Sequence, residues 1–556
     1  MRYLILITLS ALSLLAPVSS FCSTSQLTFK ADKRYVVFPI KSAAPQSKVA
    51  VLTADKKEYT DFKVRIVSDS AEYLMPYDIS DLSGRTITLA SSDGVDLSGV
   101  YLSDTIPGES SMYREKYRPQ YHYSAKRGWI NDPNGLVYSD GEYHLFYQYN
   151  PVDPDWGNLN WGHAVSKDLV HWRELPIAIR MGEDGEIYSG SAVVDYNNDS
   201  GLAKDGIPPM LAFYTLQVVR SPIYDHDGQM QCLAYSYDNG RTFEKYEGNP
   251  IVDTRMKGDT WHNRDPKVFY YAPGQHWVMA LHEKDGHSFY TSHNLIDWEY
   301  QSHLPGFWEC PELFELEVDG NPDNRKWVLT GASGTYMIGD FDGKQFIPGS
   351  GKHLYASGYM YAAQTFNQMP DNRRVQIGWS SIRKPGMPFT GQMMLPVELT
   401  LTDTKDGPRL RAMPVKEVET LLKPVFKASD ISMEEANKLL ADKVKSTERL
   451  LVRAKMRMTH PTNAGLNVDG SNVLNYDLNF NKINDVHYFP QDIGSMSLEF
   501  DMYLDAMSVE TFFDNGLYCE IKERPELKTE GSLQFWSNEP MSIDKLEVYE
   551  ISSIWE

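Results

Sequence analysis

A short turn motif that recurs along the chain constrains the fold more than any other feature of the sequence. A polar turn closed by an aromatic residue occurs at 166–172, 236–243, 292–298 and 340–346. The first and third copies are the most alike, Ser-Lys-Asp-Leu-Val-His-Trp and Ser-His-Asn-Leu-Ile-Asp-Trp. Turn-and-aromatic signals that repeat at intervals of roughly 50 to 70 residues are typical of the blades of a β-propeller.

The rest of the chain predicts further β-structure. Short alternating segments separated by Gly, Asp, Asn and Pro dominate, and long amphipathic helices are almost absent, so we predict an all-β protein. Helical spacing near Val418 and Leu421 and over 433–440 predicts a connector between two β-domains. The expected order is a small N-terminal β module (25–115), the propeller (116–410), the helical connector (411–445) and a C-terminal β-sandwich (446–556).

The first residues are typical of an export signal. Arg2 precedes an apolar run over 4–17 that is too short to span a bilayer, so we predict a signal peptide over 1–22. Cys22 is a candidate for a lipid anchor, although Phe21 stands where a lipoprotein signal prefers a small residue. The expected location is the periplasm, the cell surface or the medium.

Charge and cysteine content exclude several classes of partner. The net charge of −21 disfavours nucleic acid and anionic membrane surfaces. Without Cys22, three of the four cysteines remain, which argues against a disulfide framework. Neither paired cysteines nor a His-Glu-x-x-His motif is present, so we expect no metal and no cofactor. The oligomeric state is not indicated.

Three acidic residues occupy a similar phase of the repeat. Asp132, Asp265 and Glu309 each lie roughly 30 residues before one of the turns. The first strand of a propeller blade lines the central channel, so the three carboxylates are predicted to converge at one end of the axis.

The local settings of these acids suggest different protonation states. Arg264 precedes Asp265 and is expected to keep it ionised. Glu309 stands between Trp308 and Cys310, a less polar setting that would raise its pKa and suit a proton donor. Paired carboxylates with opposed environments are the requirement for glycoside cleavage.

The motifs around these acids resemble those of glycoside hydrolase family 32, the invertases, inulinases and levanases. The resemblance covers about residues 120 to 550 and rests on Trp-Ile-Asn-Asp-Pro-Asn-Gly at 129–135, Arg-Asp-Pro at 264–266 and Glu-Cys-Pro at 309–311. It implies a five-bladed propeller followed by a β-sandwich, and a mechanism that retains anomeric configuration through a fructosyl-enzyme intermediate.

The resemblance also implies roles for individual residues. Asp132 matches the nucleophile, Asp265 the transition-state stabiliser and Glu309 the acid/base. The residues that match substrate-binding positions are Asn131, Gln148, Trp156, Ser189, Arg264 and Trp379. Asn263 and Glu312 depart from the common pattern, at positions where selectivity could be set, and 25–115 lies outside the family core.

The function expected from the sequence is hydrolysis of β-fructosidic bonds in levan, inulin or sucrose, with release of terminal fructose. An endo-levanase, and a fructosyltransferase that uses the same acids, remain alternatives. Arabinan-acting enzymes share the propeller but fit these motifs less well. A non-catalytic fructan-binding protein is disfavoured because all three acids are present. The preference for β2,1 or β2,6 linkages is not indicated.

Overall fold

The computed structural model describes residues 25–55, 58–219, 221–253, 261–488, 496–528 and 531–555. The predicted signal peptide and Cys22 lie outside the described residues. The chain is 54% strand and 6% helix, which confirms the all-β prediction. Short 3₁₀ helices occur at Ser80–Leu82, Glu109–Ser111, Ala272–Gly274, Pro370–Asn372 and Lys416–Leu421. No helix in the described ranges combines the length and hydropathy that a bilayer span requires.

The first seven strands form two small sheets, which we call the N-terminal sheets. Their orders are β1-β6-β3-β4 and β5-β2-β7, and apolar side chains such as Phe38, Phe62 and Tyr77 fill the space between them. The strands are β1 (Ser25–Lys30), β2 (Tyr35–Ile40), β3 (Ser47–Thr53), β4 (Glu58–Val64), β5 (Tyr73–Asp78), β6 (Thr86–Ser91) and β7 (Tyr101–Ser103).

The described residues of the central region form twenty-four strands. They are β8 (Gly128–Ser139), β9 (Glu142–Asn150), β10 (Asn160–Ser166), β11 (Trp172–Ile179), β12 (Glu186–Val194), β13 (Met210–Val218), β14 (Gly228–Ser236), β15 (Glu244–Lys245), β16 (Asn263–Tyr271), β17 (His276–Glu283), β18 (Gly286–Ser292), β19 (Glu299–Pro305), β20 (Glu312–Val318), β21 (Asn321–Thr330), β22 (Thr335–Phe341), β23 (Phe346–Pro348), β24 (His353–Leu354), β25 (Ala356–Gly358), β26 (Met360–Thr365), β27 (Val375–Ser380), β28 (Phe389–Thr390), β29 (Gln392–Met393), β30 (Val397–Thr402) and β31 (Arg409–Pro414).

Most of these strands form successive antiparallel groups. Sequential strands pair in β8 to β11, β12 to β15, β16 to β19 and β20 to β23, and a further group contains β26, β27, β30 and β31. First strands of neighbouring groups contact each other between β8 and β12 and between β12 and β16. The last group meets the first, because β26 contacts β8 and β28 pairs with β8.

The four repeated turns occupy equivalent positions in this arrangement. Each lies between the third and fourth strands of its group, after β10, β14, β18 and β22 respectively. In two of them a side-chain oxygen, Asp168 Oδ1 or Asn294 Oδ1, accepts two backbone N–H bonds, and the closing tryptophan donates to a backbone carbonyl. The first and third copies therefore form the same turn, and all four copies occupy the same position in their strand groups.

The C-terminal region packs a seven-stranded sheet against a five-stranded sheet. The sheet orders are β25-β40-β39-β38-β33-β42-β32 and β37-β36-β35-β34-β41. The elements are β32 (Leu422–Ser432), α1 (Met433–Lys443), β33 (Leu450–Met458), β34 (Asn463–Val468), β35 (Ser471–Asp477), β36 (Lys482–Ile483), β37 (Val486–His487), β38 (Ser497–Leu504), β39 (Ser508–Phe513), β40 (Tyr518–Glu523), β41 (Leu533–Ser537) and β42 (Met541–Ile551).

The prediction of a helical connector over 411–445 is wrong at its centre. Residues Leu422–Ser432 form β32, which pairs along β42 at the edge of the seven-stranded sheet. The helical expectation holds at the flanks, in the 3₁₀ helix Lys416–Leu421 and in α1, which begins at a capping box between Ser432 and Glu435. The pairing partner lies more than a hundred residues away, so local spacing could not reveal the strand.

Candidate active site

The first strands of four of the five groups share a distortion at the level of the predicted site. Bulges interrupt pairing at 130–133 in β8, 187–190 in β12, 264–267 in β16 and 361–364 in β26. A bulge leaves a residue unpaired and turns its side chain away from the regular alternation of the strand. These bulges contain Asp132, Ser189 and Asp265, and the fourth begins at Tyr361.

Left-handed backbone conformation marks three residues of the predicted site. The φ angles of Asp265, Glu309 and Cys310 are +66°, +48° and +41°. Non-glycine residues rarely adopt this left-handed region, and such residues cluster at functional sites. A proline follows each acid, as Pro133, as Pro266 and, one residue later, as Pro311. Proline lacks an N–H and so fits where a strand's hydrogen-bond ladder is interrupted.

Asp132 accepts hydrogen bonds on both carboxylate oxygens. Ser189 Oγ donates to Oδ2 at 2.6 Å, and Asn131 Nδ2 donates to Oδ1 at 3.1 Å. Burial raises the pKa of Asp132 above its ordinary value, while the bonds from Ser189 and Asn131 act in the opposite direction. Ser189 and Asn131 therefore stabilise the ionised form of this acid.

Asp265 is buried beside both other acids. The Cys310 backbone N–H donates to its Oδ2 at 3.1 Å, and its own N–H donates to Thr215 Oγ1 at 2.9 Å. Burial raises the pKa of Asp265 to about 7, against the opposing charge of Arg264. Arg264 acts in the predicted direction, since its guanidinium, 4.0 Å from Asp265, lowers the pKa of that acid, but burial and the charges of Glu309 and Asp132 outweigh it.

Glu309 lies in a polar setting, which contradicts the apolar one predicted. Arg264 Nη2 donates to Oε1 at 2.6 Å, and the Tyr361 hydroxyl donates to Oε2 at 2.5 Å. Trp308 packs its ring against that of His282, with centroids 4.7 Å apart.

Cys310 connects the other two acids. Its Sγ lies 3.8 Å from Asp132 Oδ2 and 3.6 Å from Asp265 Oδ2. Burial raises the pKa of this thiol, so it stays protonated. Within the described ranges, the group of side chains that could hold a metal ion is Asp132, Asp265 and Cys310, whose ligand atoms lie within 4.8 Å of one another. The expectation of a metal-free site stays a prediction.

Other predicted binding residues are connected to the acids through intermediate side chains. Asn131 Oδ1 accepts a bond from Trp129 Nε1 at 2.8 Å, and Trp379 packs edge-on against Trp129 with centroids 5.8 Å apart. The buried Trp379 indole N–H has no partner among the described residues. Gln148 is also buried. In the amide orientation that satisfies its hydrogen bonds, the Asn134 side-chain oxygen accepts from Gln148 Nε2 at 2.9 Å, and its nitrogen donates to Ser189 Oγ at 3.2 Å.

Glu312 lies elsewhere than the sequence suggested, whereas the predicted substrate contact of Trp156 stays a prediction. Glu312, expected where selectivity could be set, is buried and pairs with Lys267 at 3.0 Å, and it accepts the Thr365 backbone N–H at 3.0 Å. It starts a regular strand and points into the protein interior, so it cannot contact a substrate at the surface. Trp156 is half-exposed on the loop over 151–159, outside the hydrogen-bond network of the acids.

Tyr361 and Thr215 are contacts of the acids that the sequence did not predict. Tyr361 lies in the last strand group, which lacks the turn repeat, so the repeat phase could not be extended to it. Thr215 lies on the second strand of its group, and nothing in the neighbouring sequence indicates that its side chain faces the acids.

Comparison with known proteins identifies the family. The family described as "Glycosyl hydrolases family 32 N-terminal domain" matches residues 122–414, more than half of the chain. The chain belongs to glycosyl hydrolase family 32. The matched range contains Asp132, Asp265 and Glu309 together with Tyr361, so the network described above lies within the family 32 domain.

Characterised relatives and a solved structure extend the family 32 match. A levanase of Bacillus subtilis (strain 168) is 45% identical over 343 residues, which cover 56% of this chain and 49% of that protein. This chain therefore spans about half the length of the levanase. The extracellular exo-inulinase of Aspergillus niger is 33% identical over 477 residues, which cover 73% of this chain and 88% of that protein.

The crystal structure of exo-inulinase from Aspergillus awamori superposes with a TM-score of 0.70 at 28% identity. The superposition covers 80% of this chain and all of that one. Family 32 structures of this type contain a β-propeller followed by a β-sandwich, which confirms that part of the predicted fold.

Proposed function

We propose that the chain is a retaining β-fructosidase that hydrolyses fructan or sucrose and releases terminal fructose. The observation that carries the proposal is the convergence of three carboxylates, Asp132, Asp265 and Glu309, around Cys310 and Arg264 in a family 32 chain. A two-step glycosidase requires one carboxylate as nucleophile and one carboxyl group as acid and base, and different hydrogen-bond donors suit the two to these different roles.

In the proposed first step, Asp132 attacks the anomeric carbon of the terminal fructosyl unit. The bond to the leaving-group oxygen breaks, and Glu309 gives its proton to that oxygen. In the second step, Glu309 takes a proton from water, and the resulting hydroxide displaces the Asp132 carboxylate from the sugar. The product is free fructose, and both acids return to their starting states.

Burial and neighbouring charges raise the pKa values of the two aspartates and of the Cys310 thiol. Asp132 and Asp265 each raise the pKa of the Cys310 thiol, and Glu309 raises the pKa of both aspartates. Because like charges this close destabilise one another, Asp132 and Asp265 hold a proton more tightly than a free aspartate does. We assign to Asp265 the stabilisation of positive charge that develops on the sugar.

The substrate class is proposed from the relatives and from the residues around the acids. The relatives are named levanase and exo-inulinase. Substrate contacts are assigned to the polar and aromatic residues of the network and to the exposed tryptophan near it, namely Asn131, Gln148, Trp156, Ser189, Arg264 and Trp379. Attack at chain ends is proposed because the relatives include a protein named exo-inulinase.

The domain organisation forms part of the proposal. We interpret the five strand groups as five propeller blades, the C-terminal sheets as a sandwich domain and the N-terminal sheets as an appended module over 25–115. We also propose that the protein is exported, through cleavage of 1–22 or acylation of Cys22.

The proposal is tested by following the products over time on levan, inulin and sucrose. Fructose alone from the earliest samples is expected. Oligosaccharides that appear before fructose would indicate endo-cleavage instead of terminal attack. Longer oligosaccharides formed at high sucrose concentration would indicate a fructosyltransferase. No product from any substrate would contradict hydrolysis.

A further inference from the structure

The loop over 151–159 joins β9 to β10 and contacts the N-terminal sheets. Val152 is fully buried and belongs to the apolar core of those sheets, although it lies in the central region of the sequence. The loop is therefore packed into the core of another part of the protein at its first residues.

A charged contact fixes the next part of the loop. Arg65, which follows β4, donates from Nη1 to Asp153 Oδ1 at 2.8 Å and to Oδ2 at 2.7 Å. The same nitrogen lies 3.0 Å from Asp155 Oδ2. Asp153 is 1% exposed and Arg65 is 19% exposed, so the pair is largely shielded from water. Removal of one partner from such a pair leaves an uncompensated charge.

A third contact fixes the end of the loop. The Asn158 amide pairs with both backbone groups of Lys63, accepting its N–H at 2.8 Å and donating to its carbonyl at 2.9 Å. Asn150 accepts from the same amide at 3.2 Å and donates to the Asp155 carbonyl at 2.8 Å. Both ends of the loop are thus held against β4, and Trp156 lies between them.

The loop leaves the sheet at the end where the acids lie. Asn150, the last residue of β9, pairs with Trp129, and Tyr149 pairs with Ile130, immediately before the bulge that contains Asp132. Trp156 is 52% exposed, although a large aromatic side chain is usually buried. An exposed indole beside a sugar site provides an apolar face for the ring of a substrate.

We propose that the N-terminal sheets position the Trp156 loop for substrate binding, with Arg65 as the principal positioning residue. This inference rests on the proposed function, since it holds that residues outside the family 32 match help to form the proposed substrate site. The N-terminal sheets then contribute to affinity through Trp156, while Asp132, Asp265 and Glu309 perform the chemistry.

The test combines Arg65→Ala and Trp156→Ala in a double-mutant cycle with fructan or sucrose as substrate. Each single variant is expected to raise KM about three- to tenfold and to change kcat by less than about twofold. The double variant is expected to match Trp156→Ala alone, because Arg65 acts through this tryptophan. A wild-type KM in Arg65→Ala, or effects that multiply in the double variant, would overturn the inference.

Two further variants control for damage to the N-terminal sheets. Arg34→Ala removes an exposed ion pair with Asp78 within the same sheets and is expected to leave KM unchanged. Arg65→Lys keeps the charge but replaces the planar guanidinium with a differently shaped ammonium group, so an intermediate KM is expected even where Arg65→Ala fails to fold.

A second readout separates this inference from the proposed function. Hydrogen exchange over 151–159 is expected to accelerate in Arg65→Ala and to stay unchanged in Arg34→Ala, with or without substrate. Unchanged exchange in Arg65→Ala would contradict the positioning role. If the wild-type protein hydrolyses none of the substrates while exchange still accelerates in Arg65→Ala, the proposed function is contradicted and the positioning role is not.

Discussion

At the scale of single residues, the charge of Asp132 depends on its hydrogen-bond donors. Ser189 and Asn131 oppose a rise in pKa that burial causes. A nucleophile must be ionised, so the acid limb of kcat/KM should report the pKa of Asp132 and lie above the ordinary value for aspartate.

Ser189→Ala tests this dependence. The variant loses a hydrogen bond that favours the carboxylate, so the pKa of Asp132 should rise further. We expect the acid limb of kcat/KM to move upward by about one pH unit, with a smaller loss at alkaline pH than at acid pH. Ser302→Ala, which removes a hydroxyl bonded to the Lys344 carbonyl, is the control. An acid limb that does not move in Ser189→Ala would remove this serine from the account.

Asp265 should destabilise the fold at neutral pH. Its pKa is raised to about 7 in the folded protein, above the ordinary 3.8, so the folded state binds the proton more tightly. The stability associated with this group is present below about pH 4 and is lost as the pH rises through 7. Asp265→Asn should therefore be more stable than wild type at pH 8, on the order of 1–3 kcal/mol.

Unfolding at a series of pH values checks this expectation. The advantage of Asp265→Asn should shrink as the pH falls from 8 to 4. An advantage that is equal at both pH values, or a less stable variant at pH 8, is the contrary result.

The sequence predicted the three acids but not their contacts. Asp-Pro and Glu-Cys-Pro are visible in the sequence, whereas the pairing of Arg264 with Glu309 joins residues 45 positions apart. Contacts of this kind are set by the surrounding fold, so the sequence indicated the partnership of Arg264 with Asp265 but not the closer one with Glu309.

At the scale of elements, a buried histidine links the segment before β8 to the C-terminal sheets. His122 Nδ1 lies 2.7 Å from Asp505 Oδ2, between β38 and β39, and Nε2 lies 3.2 Å from Glu510 Oε1 on β39. Burial lowers the pKa of His122, but Glu510 and Asp505 raise it more, to about 9. The histidine is therefore charged at neutral pH.

His122→Gln should weaken this connection. The variant leaves two buried carboxylates without their cation, so we expect a loss of about 3–5 kcal/mol at pH 6. Because the pKa of His122 is raised, its contribution is complete below pH 6.5 and is lost as the pH rises through 9. The difference between variant and wild type in thermal unfolding should therefore shrink above pH 9.

His171→Gln is the matched control, since His171 is exposed and pairs with Asp168 in a repeated turn. It should change stability by less than about 1 kcal/mol. Equal stability of His122→Gln and wild type at pH 6 would contradict the role of the buried pair.

Elements with local signals could be predicted from the sequence, and those fixed by distant pairing could not. The turn at 166–172 has its own hydrogen-bond pattern, and α1 has a capping box. Strand β32 depends on β42, and the bulges that contain the acids depend on neighbouring strands. Prolines after the acids were the one local sign of those bulges.

At the scale of the whole molecule, the acids come from three separate strand groups that meet around one axis. Asp132 belongs to β8 and Asp265 to β16, and Glu309 immediately precedes β20. The contact between β26 and β8 brings the last group beside the first and places Tyr361 next to Glu309. The repeat predicted this convergence, because equal phase in successive groups means equal height along the axis.

The central claim is that this convergence forms the active site of a fructosidase, and the rate of fructose release by wild type and Asp132→Asn tests it most directly. Wild type should release fructose from at least one of levan, inulin and sucrose. Asp132→Asn should be slower by at least about a thousandfold, since a lost nucleophile removes the first chemical step. No fructose from wild type, or a rate for Asp132→Asn within about tenfold of wild type, would contradict the account.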